Sequence, residues 1–297
     1  MKRRSIKDGE AVAGYLLIAP FLVMFAVFKL YPMLYGIAVG FWDRNSEMKL
    51  LDTTFVGFEN YVTVLKSASF WEAFGHSIVF SVIYIAFLMV FGFLVAVLLN
   101  RKFWGRTAVR TCFYIPYVTN MIAVGIVFKY LLNPVRGPVN AIFRAFGASG
   151  PGWLSSPVMA LPTAAVIAGW AALAFHIITC LAALQDIPTD MYEVADIEGA
   201  GFFQRLKYIV LPYLTPTLFM LLTITLINSF RNYTAIAGLT GGGPGTSSKV
   251  VSALIYDDAF NFLAFSRASA EGVIFTIFII IVNRLFTKAR SIWEARN

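Results

Sequence analysis

Long apolar runs separated by polar segments dominate the sequence pattern. Each run has about the twenty residues that an α-helix needs to cross the hydrocarbon core of a bilayer. The connectors between the runs are too short to form a separate domain. We therefore predict an all-α integral membrane protein whose residues 1–297 form a single transmembrane domain. Its six predicted spans are roughly Gly14–Phe41, Phe74–Leu99, Val109–Leu131, Val158–Leu184, Leu211–Phe230 and Ala268–Phe286.

Composition and charge agree with a membrane protein and predict its orientation. Hydrophobic residues make up 59% of the chain and charged residues 13%, whereas about a quarter of a soluble domain is charged. The formal net charge of +8 does not indicate a nucleic-acid binder, because the basic residues lie at the ends of apolar runs. They are denser on the side of the N-terminus, so both termini should be cytoplasmic. The segment around Arg101, Lys102 and Arg106 should be cytoplasmic too, as should the loop at about 186–208.

The polar segment Leu181–Pro212 lies between two apolar runs and has the composition of a short soluble helix pair. Pro188 suits the first turn of a helix, and Asp190 with Glu193 resembles a capping box with Asp in the cap position. Gly199 or Gly201 can take the left-handed conformation that ends one helix and turns the chain into the next. From its residues alone, the segment fits an ordinary loop between membrane helices equally well. Its acidic residues are Asp186, Asp190, Glu193, Asp196 and Glu198.

Enzymatic and ion-coupled mechanisms find little support in the sequence. No HExxH, GxSxG or Walker A pattern occurs, which argues against an intramembrane hydrolase and a self-contained ATPase. None of the acidic residues lies well inside a predicted span, and only Glu271 comes close, which disfavours a secondary carrier without excluding it. His176 is expected to hydrogen-bond a neighbouring helix. The run Leu239–Gly245 is expected to form a tight external turn just after the fifth span.

Several motifs then carry a resemblance to a known family. The run from Glu193 to Ala200, followed by Ile209 and Leu211-Pro212, resembles the EAA–G–I-LP signature of permease subunits in binding-protein-dependent ABC importers. Other pieces resemble the carbohydrate branch, which includes the maltose and glycerol-3-phosphate permeases: Phe55–Tyr61, Pro116-Tyr117, Trp153-Leu154, Trp170 and Leu239–Gly245. Val194 and Glu198 depart conservatively from the usual Ala and Asp, and Arg231-Asn232 is less typical.

The resemblance implies a type I, maltose-permease-like fold and a transport subunit that is not an enzyme. It implies import of a carbohydrate, with a di- or oligosaccharide favoured, across the bacterial inner membrane by alternating access. The partners would be a second permease subunit in a heterodimer, two ATPase subunits and a periplasmic or lipid-anchored solute-binding protein. This chain would bind no cofactor, because ATP and Mg²⁺ would lie on the ATPases. The residues expected to couple to the ATPase are Glu193, Ala195, Asp196, Glu198, Gly199 and Ala200.

The solute and its path are less constrained by the sequence. The same machinery could carry a non-sugar solute such as glycerol phosphate, and a secondary carrier or a membrane-embedded enzyme is the rival from another class. Polar clusters beside otherwise apolar spans are the candidates for the substrate pathway. The same residues could instead make hydrogen bonds between helices or line an outer vestibule. They are Tyr117 and Asn120 in the third span, and Asn228, Arg231, Asn232 and Tyr233 at the end of the fifth.

Overall fold

The structure is a computed structural model that describes residues 2–43, 54–101 and 103–294. Helices make up most of it. Between them lie three π-helical segments, Ala26–Leu30, Leu206–Val210 and Asp257–Asn261, and one antiparallel pair of two-residue strands, β1 (Trp42–Asp43) and β2 (Thr54–Phe55). The helices are α1 (Lys2–Phe25), α2 (Tyr31–Val39), α3 (Glu59–Lys66), α4 (Ala68–Asn100), α5 (Arg106–Val118), α6 (Met121–Leu131), α7 (Pro138–Ala145), α8 (Ala160–Gln185), α9 (Thr189–Ile197), α10 (Phe202–Arg205), α11 (Leu211–Phe230), α12 (Tyr233–Leu239), α13 (Val251–Tyr256) and α14 (Phe265–Glu294).

The predicted all-α membrane fold is confirmed, with one span built differently from the prediction. Among the described residues, five helical stretches are long and apolar enough to cross a bilayer: Ala13–Val39, Ala68–Asn100, Ala160–Gln185, Phe202–Phe230 and Phe265–Ser291. The predicted third span is two helices, α5 and α6, bent by 105° at their junction. Counting that pair as one broken span gives six.

Prolines explain why two of the long helices contain a π turn. A proline inside a helix has no N–H to donate, and its ring clashes with the carbonyl four residues earlier. The first π segment ends at Leu30, two residues before Pro32, and the second ends at Val210, two residues before Pro212. The extra residue in each π turn lets the helix continue past the proline. The helical stretch that contains the fifth span therefore begins at Phe202, and its first turns, before the predicted start of the span at Leu211, belong to the loop at 186–208.

The contacts divide the chain into two compact units, Met1–Ser67 with Ile255–Ile274, and Ala68–Leu254 with Phe275–Asn297. In the first unit, residues of the segment Phe55–Tyr61 hydrogen-bond to the end of α2 and pack against it. The Asn60 amide donates to the carbonyl oxygens of Gly40 and Trp42 at 3.0 and 3.1 Å. A Cβ added at Gly40 would lie 2.7 Å from the Tyr61 hydroxyl, so glycine permits this packing.

The first unit also holds two buried carboxylates. Glu271, in the second turn of α14, is fully buried, and Asp258 is nearly so. The Arg267 guanidinium pairs with both, its Nε lying 2.9 Å from Asp258 and 3.2 Å from Glu271. The helix begins at Phe265, earlier than the predicted span, so Glu271 lies deeper in the last span than the sequence suggested.

The second unit is organised on the packing of α4 against α8. A Cβ at Gly92 of α4 would lie only 2.6 Å from the Cβ of His176 in α8, so the two helices meet closely there. His176 is buried, and its Nε2 lies 2.7 Å from the Thr225 hydroxyl of α11. That hydroxyl donates to the carbonyl oxygen of Leu221 at 2.6 Å, so it accepts from His176 Nε2–H. The predicted interhelical role of His176 is confirmed.

Candidate functional site: the loop between the fourth and fifth spans

The loop at 186–208, here called the coupling loop, consists of α9, a tight turn, and the start of the helix that becomes the fifth span. Gly199 has a φ of +71°, in the left-handed region. The Ala200 N–H donates to the Ala195 carbonyl at 2.8 Å, and the Gly199 N–H donates to the Asp196 carbonyl at 3.1 Å. These two bonds form a Schellman motif, which satisfies carbonyls that the helix end would leave unpaired. The prediction that a glycine ends this helix is confirmed for Gly199.

The start of α9 differs from the prediction. Its N-cap is Pro188 rather than Asp190, and Asp190 lies in the first turn. Pro188 needs no N–H partner there, and its carbonyl accepts the Met191 N–H at 3.2 Å. The predicted capping box at Asp190 and Glu193 is therefore wrong. A single capping contact occurs instead at the start of α10, where the Gly201 N–H donates to the Gln204 side-chain oxygen at 2.7 Å.

Arg205 of α10 makes two contacts that stabilise the turn at Gly199. Its Nε donates to the Ala200 carbonyl at 2.8 Å, and its guanidinium pairs with the Asp196 carboxylate. Sequence reasoning placed Asp196 among the residues that meet the ATPase, whereas here its carboxylate contacts Arg205 of its own loop. The signals for Arg205 in the sequence were limited to its basic side chain and its position close to acidic residues.

The loop exposes an apolar surface as well as carboxylates. Glu193 and Glu198 are exposed, Ala200 is half-buried, and Ala195 is buried beneath them. Ile197 is 87% exposed and Phe203 is 80% exposed, which is unusual for large apolar side chains outside a bilayer. Sequence reasoning missed both residues, although apolar side chains within an acidic, non-membrane loop were the available signal.

A groove of about 610 Å³ lies between α9 and the start of the fifth span. Its walls combine two carboxylates, Asp190 and Glu198, with apolar and small side chains. The structure thus brings three of the predicted coupling residues to one groove, while Glu193 lies outside it. The remaining lining residues are Met191, Val194, Ala195, Ala200, Gln204, Arg205, Tyr208 and Ile209.

Within the second unit, the coupling loop packs against the hydrophobic core and lies next to the segment at residue 101. Tyr192 packs against the hydrophobic core, and burial raises the pKa of its phenol. The Arg101 guanidinium lies over the Phe202 ring, 5.4 Å from its centroid. The ends of the second and fourth spans therefore lie on the same face as the loop, as the charge pattern predicts. Lys102, named in that prediction, lies outside the described residues.

The predicted substrate-pathway residues lie on two helix pairs, α5 with α6 and α11 with α12. The pairs contact each other through α6 and α12. Asn120 lies at the bend between α5 and α6 and caps α6, because its side chain accepts the Ile122 N–H at 2.8 Å. The break between the two helices falls at Thr119 and Asn120. Tyr117, Asn228 and Arg231 are exposed, and Asn232 and Tyr233 are half-buried.

Helix α6 begins directly after Asn120, and α12 begins at the end of the polar cluster at 228–233. These two helices pack closely on each other. A Cβ at Gly125 of α6 would lie 2.5 Å from the backbone of Gly238 in α12. Two glycines thus let the backbones touch. The structure places both predicted clusters at the ends of this α6–α12 pair.

The glycine-rich run forms a turn, as predicted, although α12 separates it from the fifth span. Gly241, Gly242 and Gly245 all have φ between +60° and +87°. The Ser248 hydroxyl lies 2.8 Å from the Thr240 hydroxyl and 2.7 Å from the Gly243 carbonyl. The turn is fastened to α4, where Thr246 donates to Glu72 at 2.8 Å.

The described chain thus combines a helical membrane domain with an exposed helical loop that a glycine ends. The family model for the inner membrane component of binding-protein-dependent transport systems matches residues 88–289. The chain belongs to this family.

Relatives agree with that assignment. The chain is 30% identical to the trehalose/maltose transport system permease protein MalF of Thermococcus litoralis, over 95% of both chains. It is 27% identical to the lactose transport system permease protein LacF of Rhizobium radiobacter, over 95% of both chains. These relatives are named as permease proteins of sugar transport systems. Together with the family match, they confirm that this chain is a transport subunit and not an enzyme.

A solved structure has the same fold. A crystal structure of a bacterial ABC transporter that imports the acidic polysaccharide alginate matches with a TM-score of 0.85 at 24% identity, covering 97% of this chain and 98% of that chain. Another, of an alginate transporter in complex with its pentasaccharide-bound periplasmic protein, matches with a TM-score of 0.81 at 25% identity, covering 95% and 94%.

Proposed function

We propose that this chain is a permease subunit of an ATP-driven importer for a di- or oligosaccharide and that it works by alternating access. Family membership and the sugar names of the relatives support the solute class. The exposed apolar and acidic surface of the coupling loop is the observation that carries the mechanism. An apolar surface held on a fixed turn outside the bilayer suits docking onto a partner protein.

In this mechanism the coupling loop docks on a cytoplasmic ATPase subunit. Ile197 and Phe203 supply the apolar contact, and the exposed Glu193 carboxylate meets basic or backbone donors. A second permease subunit pairs with this chain, a second ATPase completes the motor, and an external solute-binding protein delivers the sugar. ATP and Mg²⁺ bind to the ATPases, and both termini of this chain are cytoplasmic.

A test of docking removes the exposed carboxylate. Glu193→Ala deletes a charge-assisted contact on the order of 1.5–3 kcal/mol once the interface buries it. We expect weaker coupling of ATP hydrolysis to uptake in the reconstituted transporter, with sugar affinity of the binding protein unchanged. Glu59→Ala removes the same group from α3, which is predicted to lie on the other face, and should leave coupling normal. Wild-type coupling in both variants would refute docking through Glu193.

The sugar pathway is proposed at the cluster that precedes α12. Asn228 and Asn232 offer amide groups that can hydrogen-bond sugar hydroxyls, and the cluster adjoins the close α6–α12 contact. Asn228→Ala and Asn232→Ala should lower uptake while assembly with the ATPase is kept. Asn261→Ala, outside the cluster, is the control. If the first two variants import sugar with the wild-type rate and concentration dependence, the sugar site lies elsewhere, such as on the partner permease.

The solute itself can be identified with the assembled complex. Purified transporter and its binding protein are screened against sugars for stimulated ATP hydrolysis. Stimulation by a di- or oligosaccharide is the expected result, and stimulation by glycerol phosphate alone would contradict the proposed solute class.

A further inference from the structure

Two arginines at the start of α5 have no counter-charge among the described residues. The Nε and Nη2 atoms of both Arg106 and Arg110 are shielded from solvent, yet they have no hydrogen-bond partner there. Buried guanidinium nitrogens normally find acceptors, since an unpaired buried charged group is costly. An acceptor that the described chain does not supply is therefore expected beside them.

The position of these arginines on α5 adds to the cost. They are four residues apart, so they are neighbours on one face of the helix and their charges repel. Arg106 is also the first residue of the helix, where the macrodipole is positive and opposes a cation. The N-cap is Gly105, and no described side chain caps this N-terminus. An anion at this place would relieve all of these unfavourable interactions.

A cavity of about 440 Å³ opens beside Arg110, between α5 and the last turns of α8. One wall is apolar, with Tyr114, Ile178 and Leu181, and the cavity is also lined by Gln185, the last residue of α8 before the coupling loop. The cavity therefore combines a cationic end with an apolar side. A ligand with an anionic head and a hydrocarbon chain has this distribution of chemistry.

The cavity also lies at the level where lipid headgroups are expected. Arg106 begins a membrane-inserted helix pair, and Gln185 is the last residue of a span. Trp104, two residues before Arg106, is 100% exposed, and Phe103 beside it is also exposed. Exposed tryptophan at the end of a span is typical of the membrane–water interface. The face is that of the coupling loop, predicted to be cytoplasmic, where basic pockets between membrane helices bind anionic headgroups.

We propose that Arg106 and Arg110 bind the phosphate of an anionic phospholipid whose acyl chain lies along Tyr114, Ile178 and Leu181. The arginines supply paired N–H donors suited to phosphate oxygens. The lipid would thus fill the space between α5 and α8 beside the coupling loop.

The test measures lipid retention by the assembled transporter with native mass spectrometry. Complexes are titrated with a mixture of phosphatidylglycerol and phosphatidylcholine, and the bound lipid is counted. The wild type should retain phosphatidylglycerol over phosphatidylcholine. Arg106→Gln with Arg110→Gln should weaken that retention about 25-fold, from about fivefold for each basic residue near an anionic surface.

Two further variants separate this site from general surface charge and from misfolding. Arg284→Gln with Lys288→Gln removes a pair of exposed cations with the same spacing from α14. This pair does not line the α5–α8 cavity, so the double variant should change retention less than about threefold. Ile178→Trp leaves all charges in place but fills the apolar side of the cavity, so it should lower retention like the arginine variant. Elution as an intact complex checks assembly of each variant.

Several outcomes would overturn the proposal. Unchanged retention in the Arg106 and Arg110 variant would do so, as would equal losses in both charge-pair variants. Displacement of phosphatidylglycerol by the same concentration of inorganic phosphate would indicate a free-anion site. Unchanged lipid with loss of the second permease or the ATPase would indicate that the arginines pair with a protein carboxylate.

Discussion

Gly199 offers the sharpest test of the coupling loop, because the structure separates backbone strain from crowding. Its φ of +71° lies in the left-handed region, where any residue with a Cβ costs about 1–2 kcal/mol. No described heavy atom lies within 4 Å of a Cβ built there, so an added side chain meets open space within this chain. Any effect of Gly199→Ala inside the free permease therefore comes from the turn alone.

The magnitude follows from that strain. A cost of about 1–2 kcal/mol lowers the population of the native turn roughly 5- to 30-fold. The turn can relax only by breaking the Schellman bonds from Ala200 to Ala195 and from Gly199 to Asp196. Gly199→Val should be worse than alanine, because a β-branched residue is rarely left-handed. We expect both variants to lose coupling in that order.

The variant Gly199→Asn separates the effect of the turn conformation from the effect of contact with the ATPase. Asn tolerates the left-handed conformation better than Ala, so Gly199→Asn should keep the turn. It nevertheless adds a side chain where the ATPase is expected to approach closely. Normal coupling in Gly199→Asn would mean that only the turn matters, and impaired coupling with an intact fold would place the partner against this residue.

The assay is reconstitution with the partner subunits in proteoliposomes, with ATP hydrolysis and uptake measured together. Gly201→Ala is the matched control, because Gly201 has an ordinary φ of −72° and an added Cβ would have its nearest contact at 3.7 Å. It should behave as wild type. Equal damage from Gly201→Ala and Gly199→Ala, or wild-type coupling in Gly199→Ala, would refute the reasoning.

Two further predictions concern topology and helix packing. Cysteines placed at Asp196 and at Gly243 should be labelled by impermeant reagents from opposite sides of the membrane, and labelling of both in intact cells would overturn the orientation. Gly125→Ala should separate α6 from α12, since its Cβ would lie 2.5 Å from the Gly238 backbone, and such overpacking costs about 1–3 kcal/mol. A lower melting temperature of the purified chain, with Gly75→Ala unchanged because no described atom lies within 4 Å of its Cβ, is the expected result.

The sequence by itself determined the membrane class, five of the six predicted spans as long apolar helices, and the glycine that ends α9. Apolar runs of about twenty residues have few folded alternatives, because a bilayer requires every backbone group to be satisfied within the helix. Gly199 was predictable because few other residues adopt the left-handed turn. The interhelical role of His176 was predictable for a similar reason, since a buried polar group needs a partner.

Tertiary structure decided the features that depend on contacts between distant residues. The bend between α5 and α6 falls at Asn120, and the packing of Gly125 on Gly238 joins residues more than a hundred positions apart. The pairing of Asp196, which is predicted to meet the ATPase, with Arg205 of its own loop is also a tertiary feature. The lack of a partner for the Nε and Nη2 atoms of Arg106 and Arg110 among the described residues is likewise visible only when their surroundings are known. A sequence shows which charges exist but not which ones meet.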